Sequence, residues 1–354
     1  MRAQGHKGRG AISSPDSRFT TRHVDLDEAE ARLLSANAPE TVIRAMPAGR
    51  VISRNSSPDV PFDLSINPYQ GCEHGCVYCY ARPSHSYLDL SPGLDFETQI
   101  FYKPNAVARL LEAWEKPSYE CLPITVGANT DPYQPAEKAL ELTRALLATF
   151  LKHRHPLNII TKGNLICRDI DLLTELAGLG LCSVAISLPT MDPALKRIME
   201  PRVPSAAARL GAMEQLTKAG VPTSVLVAPV IQAINDHELE SMLKSAAAAG
   251  AVRAHYIFLR LPLELKSIFA EWLQRHFPDR ARHVMSLVRQ SSGGRDYDSR
   301  FGVRQRGRGP YAEMLATRFN TTSRRLGLNA DTYQHILDCN QFLRPGQQQL
   351  GLGF

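Results

Sequence analysis

The chain has 354 residues, 44 % of them hydrophobic and 21 % charged, enough for one large core or two modest ones. No apolar run approaches the ~18 residues of a membrane span, and the basic start, MRAQGHKGRGAISS, has no apolar stretch of a secretory signal. The net charge of +6 gathers in two places, a net +5 over residues 295–325 and +4 over residues 1–23. Such cationic regions around a near-neutral middle favour an anionic partner, unless the arginines are simply solvated on loops.

In chain order, residues 1–50 show little pattern beyond a short helix over Asp25–Ala36 and read as a basic N-terminal arm. From residue 51 short β-rich runs alternate with helical patterns. Strands are expected over Asp63–Asn67, Pro123–Asn129, Leu157–Lys162, Cys182–Leu188, Thr223–Val230 and Arg253–Leu259. Helices are expected near Asn105–Lys116, Pro135–His153, Asp169–Gly180, Ser205–Gly220 and Asp236–Gly250, with Ser205 and Asp236 as caps and Gly220 and Gly250 as stops. Six βα units predict an α/β fold, a (βα)6 partial TIM barrel over residues 51–260, with all strand C-termini on one rim. After residue 260 the rhythm stops. Leu261–His276, Asp279–Gln290 and Pro310–Leu326 read as helices around a Gly/Arg-rich loop, Ser291–Gly309. This helical, Arg-rich C-terminal extension, residues 261–345, is expected to close the open side of the barrel. Its arginines, interleaved with Tyr297, Phe301 and Tyr311, can track phosphates and stack bases. Residues 346–354 read as a flexible tail.

The first strand leads into SINPYQGCEHGCVYCYARPSH, Ser65–His85, which holds three of the seven cysteines, Cys72, Cys76 and Cys79. Three thiolates at this spacing can converge on one metal centre, and Gly71 and Gly75 permit the tight backbone this needs. They suit a four-iron cluster with one iron open to a non-protein ligand. With His74 or His85 as a fourth ligand they would equally make a closed zinc site. An odd number of cysteines, three of them crowded together, points to the reducing cytoplasm, and Cys121, Cys167, Cys182 and Cys339 read as small core residues. The other strand ends also run into polar clusters: GANTDPYQPAE (Gly127–Glu137), TKGN (Thr161–Asn164), SLPT (Ser187–Thr190) and APVIQAIND (Ala228–Asp236). Four such clusters in phase argue for a shared pocket on the rim.

C-x3-C-x-aromatic-C, with Tyr78 in the aromatic slot, resembles the signature of the radical S-adenosylmethionine superfamily. The wider string NPYQGCEHGCVYCYARPSH resembles the branch containing spore photoproduct lyase and its DNA repair photolyase-like relatives, over roughly residues 50 to 290. The resemblance implies an enzyme with a [4Fe-4S] cluster on Cys72, Cys76 and Cys79. S-adenosyl-L-methionine would chelate the open iron and, on cleavage, release a 5′-deoxyadenosyl radical that abstracts hydrogen from a substrate. A reductant of flavodoxin or ferredoxin type is implied as well.

The same resemblance assigns roles along the rim. Asp131, helped by Asn129 and Thr130, would accept the methionyl ammonium, and Lys162 and Ser187 would approach the carboxylate and ribose. Arg202 would pair with that carboxylate, unless it holds Glu200 or Glu214 instead. Ile231 would pack on the adenine, although Gln232-Ala233 replace an expected Pro-Gly pair, and Tyr78 would offer its backbone to the adenine edge. The lyase's hydrogen-donating cysteine falls here on Ala128, so the same repair cycle is not expected, and Tyr80 becomes the candidate hydrogen relay. Nucleic acid is the candidate substrate. The alternatives are a zinc-containing nucleic-acid-binding module, or a cluster-bearing partner protein without a substrate of its own. Finally, QLGLGF, Gln349–Phe354, resembles the peptide that bacterial repair and replication proteins insert into the DNA sliding clamp.

Overall fold

In the computed structural model, which describes residues 6–19, 39–330 and 337–346, all six expected runs become strands of one sheet. They are β3 (Leu64–Ile66), β6 (Ile124–Val126), β7 (Leu157–Thr161), β8 (Cys182–Ser187), β9 (Thr223–Val230) and β10 (Arg253–Phe258). Each pairs in parallel with the next, in the order β10-β9-β8-β7-β6-β3, and β2 (Ile52–Arg54) adds antiparallel to the β3 edge. The sheet is open between β10 and β2. Alternation along each strand divides its two faces. Outward residues such as Ile159, Val184, Val225 and Val227 are fully buried against Leu146, Phe150, Leu173, Leu216 and Met242 of the surrounding helices. Burying one such side chain contributes roughly 1.5–3 kcal/mol, so this layer is a large favourable contribution to the fold.

The helices follow the expected pattern with two physical corrections. Residues 135–153 do not form one helix, because the chain breaks at Glu141 (φ 50°) between Glu137–Leu140 and Leu142–Lys152. The cause is the buried Glu137 carboxylate, which accepts the Thr143 N–H at 3.0 Å and so caps the second helix from inside the first. Asp236 is not a cap either. It opens a 3-10 turn before the helix Leu239–Ala248, and its carboxylate accepts the hydroxyl of Tyr311 from the C-terminal helix Pro310–Arg325. Ser205 caps as expected, accepting the Ala208 N–H at 3.2 Å.

Two regions carry more structure than their composition suggests. A second sheet, in the order β1-β5-β4, joins β1 (Val42–Ala45) to β5 (Gln99–Tyr102) and β4 (Tyr69–Gln70) beside the cysteine loop. Within the expected N-terminal arm, Gly10 and Ala11 donate their N–H groups to the two oxygens of Glu97 at 3.0 and 2.8 Å, and Ala11 is buried. The helix expected over Asp25–Ala36 lies outside the described residues.

The C-terminal extension spans the gap in the half-barrel. The Phe258 N–H, at the end of β10, donates to the Gln305 carbonyl at 2.9 Å. On the opposite edge Arg304 and the Gly302 N–H both donate to Asp59, just before β3. A final strap, residues 337–346, runs under the strand N-termini, where the Asp338 and Leu343 N–H groups bond the carbonyls of Gly180 and His153. Of the four cysteines read as core residues only Cys182 is buried, while Cys121, Cys167 and Cys339 are half-exposed.

Candidate active site

The cysteine loop, between β4 and the 3-10 turn Arg82–Leu88, is held by groups buried around it. Fully buried Arg82 donates to the Cys76 carbonyl at 2.9 Å and to the Gly93 carbonyl at 2.8 Å, and pairs with fully buried Glu97 at 2.5 Å. Glu97 in turn receives the Gly10 and Ala11 N–H groups, so the N-terminal segment is laid across the loop. The approach is close enough that a Cβ on Gly10 would meet the Gly75 carbonyl oxygen at 1.8 Å. Gly75 itself has φ +65°, and a Cβ there would lie 2.7 Å from the Glu97 carboxylate. No side chain larger than hydrogen fits either position.

The three thiols line one chamber of about 190 Å³ at the C-terminal ends of the strands. Burial pushes Cys76 and Cys79 up, and the neighbouring thiols add to the effect, with Glu200 acting on Cys76 as well. Three crowded thiolates, two of them buried, would need a compensating cation, as iron could supply. No three His, Cys, Asp or Glu side chains among the described residues converge tightly enough for one metal ion. The three thiols stand on the wall of the chamber, open to a group larger than one ion. His85, one of the two candidate zinc ligands, faces away and contacts the Gln99 carbonyl at 3.1 Å.

The chamber brings together most of the residues expected on the rim. Besides Cys72, Cys76 and Cys79 it is lined by Tyr78, Tyr80, Asn129, Asp131, Lys162 and Ser187. The Asp131 side chain is nearly covered and engaged on every side. Its oxygens accept the Tyr133 N–H at 2.9 Å, the Thr161 hydroxyl at 2.6 Å and the Lys162 N–H at 2.7 Å. His74 Nδ1, from the cysteine loop, lies 3.3 Å from the same carboxylate, an ion-pair contact without hydrogen-bond alignment. Burial works against its charge, but His74 and these donors hold Asp131 down at about 2. Lys162 is likewise opposed by burial and carried above its usual value by Cys76, Glu200, Asp131 and Cys79. The Ser187 hydroxyl donates to the Ala228 carbonyl at 3.3 Å, and the Tyr80 hydroxyl donates to the Ala128 carbonyl across the chamber mouth.

Three of the expected residues do not line this chamber. Thr130 is buried and donates to the Tyr69 carbonyl at 2.7 Å. Ile231 is fully buried in a separate apolar cluster with Val77 and Tyr78. Arg202 holds neither Glu200 nor Glu214, and its guanidinium lies 3.3 Å from Glu73. The partner of Glu200 is Arg209, 2.6 Å away and as deeply buried, and Glu200 also accepts the Tyr78 hydroxyl. Sequence reasoning missed Arg260 and Gln305 and weighed His74 only as a zinc ligand, and all three line the chamber. Arg260 lies over the Tyr80 ring at 4.9 Å. It follows the sixth strand, and carrying the rim argument one strand further would have found it.

This arrangement defines a class. Three cysteines on a loop after the first parallel strand, with polar side chains at the following strand ends, line one chamber whose donor set could hold an iron–sulfur cluster and a polar cofactor. The family model described as "Radical SAM superfamily" matches residues 66–246, and the chain belongs to that superfamily. It is an enzyme of the radical S-adenosylmethionine class, whose cofactors are a [4Fe-4S] cluster and S-adenosyl-L-methionine. An uncharacterised protein of Mycobacterium tuberculosis is 38 % identical over 233 residues, covering 65 % of this chain and 68 % of the relative. Another from Methanocaldococcus jannaschii is 27 % identical, covering 60 % and 76 %. Among solved structures, a spore photoproduct lyase variant is similar in fold with a TM-score of 0.61 at 16 % identity, over 88 % of this chain and 87 % of that one. The lyase in complex with a dinucleoside spore photoproduct has a TM-score of 0.60 at 15 % identity, over 81 % and 80 %.

Proposed function

We propose that this enzyme abstracts a hydrogen atom from a substrate held against the chamber formed by Cys72, Cys76, Cys79, Asp131, Lys162 and Ser187. The observation that carries the reading is the convergence of those six side chains on one enclosure of about 190 Å³. When bound, the cluster and S-adenosyl-L-methionine supply the 5′-deoxyadenosyl radical, and the chain orients them and excludes water. In this reading Cys72, Cys76 and Cys79 hold the cluster. Asn129 and Asp131 face the methionyl ammonium, Lys162 the carboxylate and Ser187 the ribose. Tyr78 lines the adenine side with its hydroxyl tied to Glu200. Thr130 and Ile231 support these groups from behind, and Arg202 steadies the cysteine loop through Glu73. Tyr80, beside Ala128 and under Arg260, is the hydrogen relay.

The finer partners belong to the same proposal. A flavodoxin- or ferredoxin-type protein delivers the electron. Nucleic acid is the macromolecular substrate, supported by an exposed platform in which Arg18 covers both Phe19 and Tyr87 at 4.7 and 4.8 Å. The sliding-clamp peptide Gln349–Phe354 lies outside the described residues. No helix among the described residues is long and apolar enough to cross a membrane, and the cytoplasm is the proposed location. The test is anaerobic reconstitution followed by strong reductant: four irons per chain and formation of 5′-deoxyadenosine are expected. A chain that binds one zinc ion instead, or that never cleaves the cofactor, fails this reading.

A further inference from the structure

Below the cofactor chamber the half-barrel contains a larger cavity of about 500 Å³ that reaches the strand N-termini. Val60, Phe62, Ile160, Leu226, Ile257 and Gln305 line both spaces, so the two meet at a shared collar. A parallel barrel interior is normally filled by layers of bulky branched side chains. Here the inward positions are stratified instead. Lys162 and Ser187 stand at the top beside the cofactor chamber, and Ile160, Ala185, Leu226 and Ile257 form an apolar middle. At the bottom, Thr125, Asn158, Ser183, Ser224 and His255 present hydroxyl, amide and imidazole groups from five neighbouring strands.

Two observations say that the bottom tier expects a guest. The Thr125 hydroxyl is buried, lines the cavity and has no hydrogen-bond partner, a costly condition that a bound polar group relieves. Next to it, Asn158 accepts the Ser183 hydroxyl at 2.7 Å, which leaves its amide NH₂ to donate. Charge selects the sign. One wall carries Arg253 and Arg306, with His255, pushed below its usual value by burial and by these arginines, as a neutral donor beside them. Arg306 lies over the Tyr256 ring at 4.5 Å with no carboxylate partner among the described residues. On the far wall Asp59 is already paired with Arg304, and Asp63 is the other acid.

We infer that this lower cavity is the substrate site and takes a compact molecule with a phosphate or carboxylate on a hydroxylated frame. The anionic group sits at the Arg306 and His255 wall, the hydroxyls meet Thr125, Asn158, Ser183 and Ser224, and the reacting carbon rises into the apolar collar. The inference rests on the proposed function and adds a substrate class to it. A free sugar acid or sugar phosphate and one nucleotide unit of a nucleic acid share this chemistry.

The test is calorimetric titration of the cluster-loaded protein with ribose 5-phosphate, gluconate, a short single-stranded oligonucleotide and neutral ribose. At least one anionic probe should bind at least about tenfold more tightly than ribose, and whichever one binds identifies the source. Arg306→Ala should weaken that probe about tenfold, as expected for a lost guanidinium–anion contact. Thr125→Val, nearly isosteric and mild for the fold, should weaken it severalfold. Equal binding of ribose, no binding by any probe, or unchanged binding in both variants overturns the inference. Formation of 5′-deoxyadenosine by the unmutated protein, measured in parallel without substrate, reports on the proposed function separately, so each can fail without the other.

Discussion

The arginines around the cysteine loop and those of the C-terminal loop make opposite use of the same side chain. Arg82 and Arg209 are 0 % and 1 % exposed and each is matched to one buried carboxylate, Glu97 or Glu200. Arg289 and Arg300, by contrast, pair with Asp296 and Asp298 while standing half or more in solvent. The C-terminal group dominates any count of net charge along the chain, yet its exposed pairs are screened and contribute little each, the mostly buried Arg304–Asp59 pair excepted. The two arginines that hold the site contribute nothing conspicuous to composition. Regional net charge reports where a surface is cationic, and only burial shows which charges the fold depends on.

Breaking the site itself should have the largest effect. Alanine at Cys72, Cys76 or Cys79 is expected to abolish the four-iron absorbance and all cofactor cleavage. Alanine at Cys121, Cys167, Cys182 or Cys339 should retain both at a cost of roughly 1 kcal/mol. Loss of the cluster in a Cys121 or Cys339 variant would show that the ligand set is wrong.

One level out, Arg82→Met leaves the Glu97 carboxylate buried without its partner, expected to cost about 3–5 kcal/mol by chemical denaturation. Replacing both residues with apolar ones should recover much of that loss. If the single and double variants match, the pair is not coupled in the way its 2.5 Å contact indicates.

Protonation offers a milder break at a buried position far from the rim. His155 is stacked on Trp114 at 4.5 Å, accepts the Tyr119 hydroxyl at 2.7 Å and is pushed down to about 4 by burial. A folded value below the unfolded 6.5 means that the unfolded chain takes up the proton first. Stability is therefore complete above about pH 6.5 and falls by about 3 kcal/mol as the pH drops towards 4. Urea titrations at pH 7 and pH 5 measure this, and His155→Phe should remove the local contribution. The smallest effect belongs to the exposed set: Arg289→Ala should stay within about 0.5 kcal/mol of the parent. A larger cost would erase the contrast drawn between the two groups of arginines.

Period-two and period-3.6 patterns made all six parallel strands and the flanking helices legible, because burial on one face imposes that rhythm on the sequence. The cysteine spacing and the polar strand ends likewise marked the residues that line the chamber. What stayed hidden depends on pairings with no local signature. Glu97 meets Arg82 across 15 residues, Gly10 meets Gly75 by backbone approach alone, and Glu137 breaks its helix by capping the next one. The second sheet was missed because β4 is two residues long and β1 is exposed along its whole length, so neither shows an alternating pattern.

The strap beneath the sheet fixes a direction as well as a contact. Arg344 donates to the carbonyls of Trp114 and Tyr119, at the N-terminal side of β6 and opposite the mouth guarded by Tyr80. The described chain therefore ends at residue 346 on the underside of the sheet, facing away from the Tyr80 side of the chamber.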